Sequence, residues 1–431
     1  MKKTDKALLK MRFKQLNGTY YPEWREVPLK TLANLATAKN KASEVNRVLT
    51  NSAANGIVDQ RDYFEKDIAN SENLEGYYIV ETGDYVYNPR VSNIAPVGPV
   101  SKNKVGRGLM SPLYTVFRFI SDNNDFYEQY FKTSHWYKYL RSVSNTGARF
   151  DRMSITPSVF MDMPVPFPIP EEQQKIASCL FSLDDLIMAH SQKLDALKVH
   201  KKGLMQQLFP AEGEKVPKRR FEEFKDSGDW ESYPLSEFIA SLDAGVSVNS
   251  GDKPASENEF GILKTSCVSN GVFDPTENKV VLVDSEIDRL KEPVSSNSII
   301  ISRMNTPTLV GANAYIEKGI DNIFLPDRLW AAKPKLNVNM RFVAHVLGSL
   351  KGRKELTELA SGSSGSMKNI SKSDVLEMQI LAPKIEEQEK ITSCLSSLNE
   401  LIAKQEKKIE QLKIHKKGLM QGLFPEVKDN N

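Results

Sequence analysis

The chain is poor in the residues that build disulfide frameworks and metal sites. Its 431 residues include three cysteines, Cys179, Cys267 and Cys394, and five histidines. No two cysteines stand at C-x-x-C spacing, and the histidines fall in no ligand pattern. Neither a disulfide scaffold nor a metal centre is therefore expected. Cys179 and Cys394 occupy matching points of apolar helical patterns and are expected to be buried, inert thiols. No stretch approaches the 18 or so consecutive apolar residues of a membrane-spanning helix. The basic N-terminus, MKKTDKALLKMRFKQ, lacks the apolar run of a signal peptide. The expected setting is a reducing cytoplasm, with no membrane partner. A large excess of one charge sign is also missing, since the formal net charge is +3. Any case for a polyanionic partner must rest on how basic residues cluster.

Catalytic grammar is equally scarce. Asn88-Pro89-Arg90 is not the N-P-P-[FY] of an amino-methyltransferase, and no glycine-rich turn follows a strand in a dinucleotide pattern. There is no G-x-x-x-x-G-K-[ST] loop, no G-x-S-x-G and no H-E-x-x-H. The Pro326-Asp327 of LPDRL has no nuclease-type carboxylate–lysine partner downstream. No catalytic residue is assigned, and no cofactor is expected in this chain.

What the sequence does have is repetition, which sets the architecture. HKKGLMQQLFP at 200–210 returns as HKKGLMQGLFP at 415–425. Residues 171–210 align with 386–425 without a gap, and 25 of the 40 positions are identical. Each copy reads as one long helix. Pro170 and Pro383 mark the starts, and Pro210 and Pro425 stop the pattern. Glu171, Glu172, Glu386 and Glu387 set negative charge at the N-terminal ends. About 39 residues give a rod of roughly 58 Å.

A heptad seam runs along each rod, with steps alternating between four and three. In the first copy it comprises Ile176, Leu180, Leu183, Ile187, His190, Leu194, Leu197, Lys201, Leu204 and Leu208. In the second it comprises Ile391, Leu395, Leu398, Ile402, Gln405, Ile409, Leu412, Lys416, Leu419 and Leu423. Such a stripe must be buried, and the other copy is the obvious partner. Both seams break at the same two places, His190/Gln405 and Lys201/Lys416. The lysines either fix register or extend their ammonium groups out to water.

Weaker echoes precede each helix at the same 215-residue offset. LTNSAANGIVDQ at 49–60 answers KTSCVSNGVFDP at 264–275, and the Asn-Gly pairs signal turns. TGARFDRMSI at 146–155 answers SGSSGSMKNI at 361–370, and, at a shorter offset, Trp24 answers Trp230. The remainder diverges. The plan is a globular module of about 160 residues and a long helix, stated twice. The modules read as mixed α/β. GYYIVETGDYVYNP, KVVLVDS and NSIIISRM are strand-like, whereas NDFYEQYFKTSHWYKYLRS and NMRFVAHVLGSLKGRKELTEL are helical. Like helices suit a job done twice identically; unlike modules suit two different targets.

Binding chemistry clusters in glycine-bearing loops. SKNKVGRG supplies Lys102, Lys104 and Arg107, and RSVSNTGARFDR supplies Arg141, Arg149 and Arg152. The second module supplies Arg303, Asn305 and Thr306 in ISRMNTPT, and Ser363, Ser364, Ser366 and Lys368 in SGSSGSMKNI. These side chains suit phosphates and base edges, and glycine loops let backbone N–H groups approach phosphate. A scaffold joining two protein-binding modules would show the same duplication, and specific duplex binding separates the two readings.

The duplicated E-E-Q-x-K-I-x-S-C-L…H-K-K-G-L-M-Q-x-L-F-P helices, the Trp24 and Trp230 module starts and the module–helix–module–helix order resemble the specificity subunit of type I restriction–modification enzymes. The resemblance spans nearly the whole chain. The first module departs from the pattern in having only a short leader; the VPKRRFEEF start of the second is clearer. The resemblance implies a mixed α/β fold: two globular target recognition domains, residues 1–166 and 211–381. They would be separated by conserved spacer helices, 167–210 and 382–425, packed as an antiparallel coiled coil in a pseudo-twofold repeat, with a tail at 426–431. It further implies that each domain reads half of a bipartite, asymmetric site on double-stranded DNA. The helices would set half-site spacing and dock two methyltransferase (modification) subunits. Restriction (motor–nuclease) subunits would join them. S-adenosylmethionine, ATP and Mg would belong to those partners.

Overall fold

The computed structural model describes residues 11–41, 43–64, 74–144, 151–269, 271–361 and 367–424. The chain divides into two compact units, Met1–Ser191 with Lys407–Asn431, and Gln192–Glu406. Two helices of 39 residues, Pro170–Leu208 and Ile385–Leu423, match the two repeated stretches. Each unit holds the first part of one helix and the last part of the other. In the first unit Lys416 Nζ donates to Asp184 Oδ1 at 2.6 Å, and Leu423 and Phe424 share a core with Ile176 and Leu180. In the second, Leu208 shares a core with Ile391 and Leu395, and Lys198 pairs with Glu406 at 2.8 Å. Late residues of one helix meet early residues of the other, so within each unit the helices run in opposite directions.

All the seam residues are buried or half-buried. The polar breaks behave unequally. Lys416 stays half-buried on the Asp184 carboxylate and does not reach out to water. Among the described residues Lys201 has no such partner, because Asn399 stands where the repeat places the counterpart of Asp184. One expectation about the helices needs correcting. Cys267 is buried, and burial pushes its thiol up to about 12, but Cys179 and Cys394 are only half-buried. Each stands one residue before a seam leucine, where the helix surface turns away from its partner.

The paired glutamates that open each helix have different jobs. The first of each pair, Glu171 or Glu386, is exposed, as a dipole partner should be. The second is buried. Glu172 receives Arg12 Nε at 3.0 Å and Nη2 at 2.9 Å, and Trp24 Nε1 at 2.7 Å. Glu387 receives Arg220 Nε at 2.8 Å and Nη2 at 2.6 Å. The glutamines that follow, Gln173 and Gln388, each donate at 2.8 Å to a carbonyl just ahead of the helix, Pro168 O and Pro383 O. Arg12 thus does in the first unit what Arg220 does in the second. The same equivalence holds one residue earlier: Met11 N donates to Gly422 O, and Arg219 N to Gln207 O, both at 2.9 Å.

The modules diverge in sequence yet share a core sheet. In the first, the antiparallel order is Ala33–Leu35, Thr115–Phe119, Tyr85–Tyr87, Val100–Lys102. In the second it is Ile239–Ala244, Leu329–Pro334, Ser298–Ser302, Asn313–Ile316. A two-stranded ribbon then leads into each long helix, Arg25–Pro28 with Pro164–Phe167 and Glu231–Pro234 with Gln379–Ala382. The second module adds a further sheet built from Asn278–Val280, Gly261–Leu263, Ile320–Phe324 and Pro293–Val294. Of the expected turns, Asn55-Gly56 lies where the hairpin Leu49–Ser52/Gly56–Asp59 reverses, with Gly56 at φ +67°. Asn270 lies outside the described residues.

The helical stretch that begins at Met340 breaks in two, Met340–Gly348 and Leu350–Glu358, because the Ser349 side chain caps the second piece through Gly352 N. A Cβ at Gly352 would stand 2.2 Å from Val346 O, so the tight junction requires glycine. His345 on the first piece is pushed down to about 4 by burial, with Lys201 and Arg341 adding to the effect. Its Nε2 has no hydrogen-bond partner among the described residues. The unfolded imidazole binds a proton near 6.5; the folded one resists until about 4, so stability is full above the first value and declines between them. Acidification to about pH 5 should cost on the order of 2 kcal/mol through this group. Urea melts of wild type and His345→Gln should differ in their pH slope over that window; parallel slopes would remove the assignment.

Candidate nucleic-acid interface

The clearest convergence of the sequence-predicted residues lies in the second module. Met304–Asn305 pairs antiparallel with Lys368–Asn369, which sets Asn305 directly opposite Lys368. Loops more than sixty residues apart in sequence are thereby brought together. Arg303 adjoins the ribbon. Its N–H donates to Arg328 O at 3.0 Å, and its carbonyl accepts Ile370 N at 2.9 Å. Its guanidinium lies over the Trp330 ring, 5.5 Å from the centroid and within cation–π range, and its Nε is buried without a partner among the described residues. Asn305 Oδ1 accepts Thr306 N at 2.8 Å, and Asn305 Nδ2 donates to Ser302 Oγ at 3.2 Å. Arg353 Nη2 donates to Thr308 O at 3.3 Å and ties down the exposed Thr306–Thr308 loop. Ser363, Ser364 and Ser366 lie outside the described residues.

The first module has an equivalent platform. Arg90 and Arg152 face each other across an antiparallel bridge. Val91 N donates to Asp151 O and Met153 N to Pro89 O, both at 2.9 Å. Like charges directly opposite each other destabilise a strand pair. Asp151 lies 3.9 Å from Arg152 Nε and offsets part of that cost. Arg90 is exposed and has no hydrogen-bond or ion-pair partner through its side chain among the described residues. It stands 215 positions before Asn305, so carrying the repeat register into this loop finds it. Sequence reading also passed over Arg328, exposed beside Arg303.

The other predicted cations are differently placed. Lys102 donates to Asp125 at 2.8 Å and Lys104 to Glu128 at 2.7 Å. Arg107 Nε lies 3.1 Å from Glu81. All three charges are partly neutralised inside the module. Arg141 is exposed at the end of the short helix Tyr137–Val143, and Arg149 lies outside the described residues. No group of three or more histidine, cysteine, aspartate or glutamate side chains could hold a metal among the described residues. Nor is any helix there long and apolar enough to cross a membrane.

Fold and site together define a duplicated recognition protein: two modules of one topology, each offering a different polar platform and each packed on an antiparallel helix pair. Residues 22–199 and 227–413 each match the type I restriction modification DNA specificity domain, and the chain belongs to that family. The family is that of the specificity component, which is not the catalytic one. The chain is 27% identical over 272 residues to the type I restriction enzyme MjaVIII specificity subunit of Methanocaldococcus jannaschii, covering 61% of each. It is 25% identical over 305 residues to the putative MjaX specificity subunit of the same organism, covering 68% of this chain and 64% of that one. The matches span just over three fifths of the length of these relatives. Among solved structures, the fold is like that of the type I restriction-modification S subunit from M. genitalium. The TM-score is 0.55 at 12% identity, covering 97% of this chain and 100% of that one. A chain from a structure of type I R-M complex assembly and conformational transition gives 0.55 at 12%, covering 94% and 98%.

Proposed function

We propose that this chain is the DNA-recognition subunit of a type I restriction–modification complex, with each module reading one half of a bipartite, asymmetric site. The observation that carries the reading is the pair of equivalent platforms, Arg90/Arg152 and Arg303/Asn305/Lys368, alike in position and unlike in side chain. Equivalent placement suits two half-sites on one duplex; unlike side chains suit two different sequences. The opposed cation pair in the first module is a local cost that a phosphate would relieve. Module limits at 166 and 381 belong to this proposal, as does a cytoplasmic setting.

The helix pair serves as ruler and dock. Leu186 and Ile414 in the first unit are 42% and 61% exposed, and Val199 and Leu401 in the second are 71% and 50% exposed. Leu186 answers Leu401 in the repeat, and Val199 answers Ile414. One apolar surface stated twice suits two copies of one partner, the methyltransferase subunits, with restriction subunits joining afterwards. S-adenosylmethionine, ATP and Mg are assigned to those partners.

Methylation-aware sequencing of a host carrying the complex tests the reading: a two-part motif with an unspecified gap is expected. Exchanging residues 1–165 with those of a relative should change one half of that motif only; a change in both halves would sink the modular assignment. Arg303→Ala and Lys368→Ala should each weaken specific duplex binding by about 1–3 kcal/mol if they touch base edges. If they touch phosphates, each should lower the salt slope by about one. Unchanged affinity and slope in both variants would move the interface elsewhere.

A further inference from the structure

Each unit also carries a basic cleft where its module meets the helix pair, and the two clefts occupy equivalent positions. That of the second unit encloses about 1270 Å³ and is lined by Lys198, Lys201, Lys202, Lys218, Lys351 and Lys354. That of the first encloses about 960 Å³, and its lining includes Lys413, Lys416 and Lys417, the repeat counterparts of Lys198, Lys201 and Lys202. The clefts differ where the half-buried seam lysine sits. In the first unit Asp184 takes Lys416 at 2.6 Å and Lys132 at 3.6 Å. In the second the matching position is Asn399, which carries no charge.

Among the described residues two carboxylates line the second cleft, and both are occupied: Glu406 by Lys198 at 2.8 Å, and Glu212 by Lys354 at 3.5 Å. The side chains of Lys201, Lys202 and Lys218 make no hydrogen bond or ion pair among the described residues. Burial pulls the Lys201 ammonium below its ordinary pKa, and no carboxylate offsets that loss of water. Ser349, Leu350 and Lys351, at the start of the nine-residue helix Leu350–Glu358, also line the cleft. The Gly352 N–H of its first turn is already taken by Ser349 Oγ, so the helix end adds only the preference of its dipole for negative charge.

We propose that the cleft of the second unit binds the polyphosphate group of a small anion, with Lys201, Lys202 and Lys218 as its cationic contacts, and that Asp184 pre-empts such binding in the first unit. The shared chemistry is a run of linked phosphates, from either a nucleoside triphosphate or inorganic polyphosphate. The residues that line it include none of the platform residues and none of the exposed apolar helix positions named above. Isothermal titration of the full chain, without magnesium, with inorganic tripolyphosphate and in parallel with ATP, tests it. One site per chain is expected. Equal affinities would identify the phosphates alone as the ligand, and a tighter ATP would identify a nucleotide. Lys201→Ala removes a charged contact and Asn399→Asp supplies the internal counter-ion. Each should weaken binding by about 10- to 100-fold, and Asp184→Asn should add a second, weaker site. Thermal melts of the variants separate misfolding from loss of contact, and Asn399→Asp at an exposed position provides the conservative arm. No binding at millimolar tripolyphosphate, or binding indifferent to both Lys201→Ala and Asn399→Asp, overturns the proposal.

Discussion

Replacing Arg220 by alanine should lower the free energy of unfolding by about 3–5 kcal/mol, the usual cost of stranding one member of a buried ion pair. Its guanidinium and the Glu387 carboxylate are 7% and 2% exposed, and they are joined by two bonds of 2.8 and 2.6 Å. Arg220 Nη1 also holds Gly228 O at 2.7 Å. Alanine leaves the carboxylate charged, buried and without its fork of donors. Double replacement, Arg220→Met with Glu387→Gln, removes the stranded charge and should recover much of the loss, because a buried pair contributes little net stability over an apolar substitute. The matching Arg12→Ala should cost less. Arg12 is 17% exposed, and Trp24 Nε1 still serves Glu172 after the change. Urea denaturation followed by tryptophan fluorescence reads all three, since Trp230 and Trp330 sit in the core of the second unit and Trp136 in that of the first. A loss below about 1 kcal/mol for Arg220→Ala would mean that water reaches Glu387 and that the pair is a surface one.

That pair also marks the limit of what the sequence could disclose. The helices were legible because a heptad seam is a local, periodic signal, and its repetition removed the ambiguity. Which glutamate would be buried was not legible. The answer depends on Arg220, 167 residues away, and neither spacing nor composition connects them. The shared sheet order escaped for the same reason: strand pairing is long-range, and the strands keep their places while most side chains change. The binding clusters were legible as residue types but not as a surface. Lys102, Lys104 and Arg107 looked available in the sequence, yet each has a carboxylate beside it in the fold. Asn305 and Lys368, by contrast, are cross-strand neighbours. Arg90 was dismissed as part of a failed enzyme motif, although the repeat register that identified the helices also reaches it.

Removal of one heptad from each long helix, Ile187–Lys193 and Lys407–Lys413, should reduce methylation of the native target to background. The paired deletion preserves the seam, because seven residues restore the same helix face. It also leaves untouched the module cores, which rest on Ile176, Leu180 and Leu423 in the first unit and on Leu208, Ile391 and Leu395 in the second. Folding should therefore survive. Each helix shortens by about 10 Å, or about three base pairs, and three base pairs turn the duplex by roughly 100°. If the helices are the ruler, the second half-site is then displaced and faces the wrong way. The two effects cannot be repaired together by a simple change of gap. Either half-site alone should still be bound weakly by its own module, with the salt dependence of phosphate contacts. Deleting the heptad from one helix only should differ in kind. The seam loses its partner over seven positions, and thermal stability should fall before recognition can be measured. Genome-wide methylation profiles of cells carrying the paired deletion decide the matter. Native-target methylation at the wild-type level, with a stable complex, would show that spacing is set by the partner subunits and not by these helices.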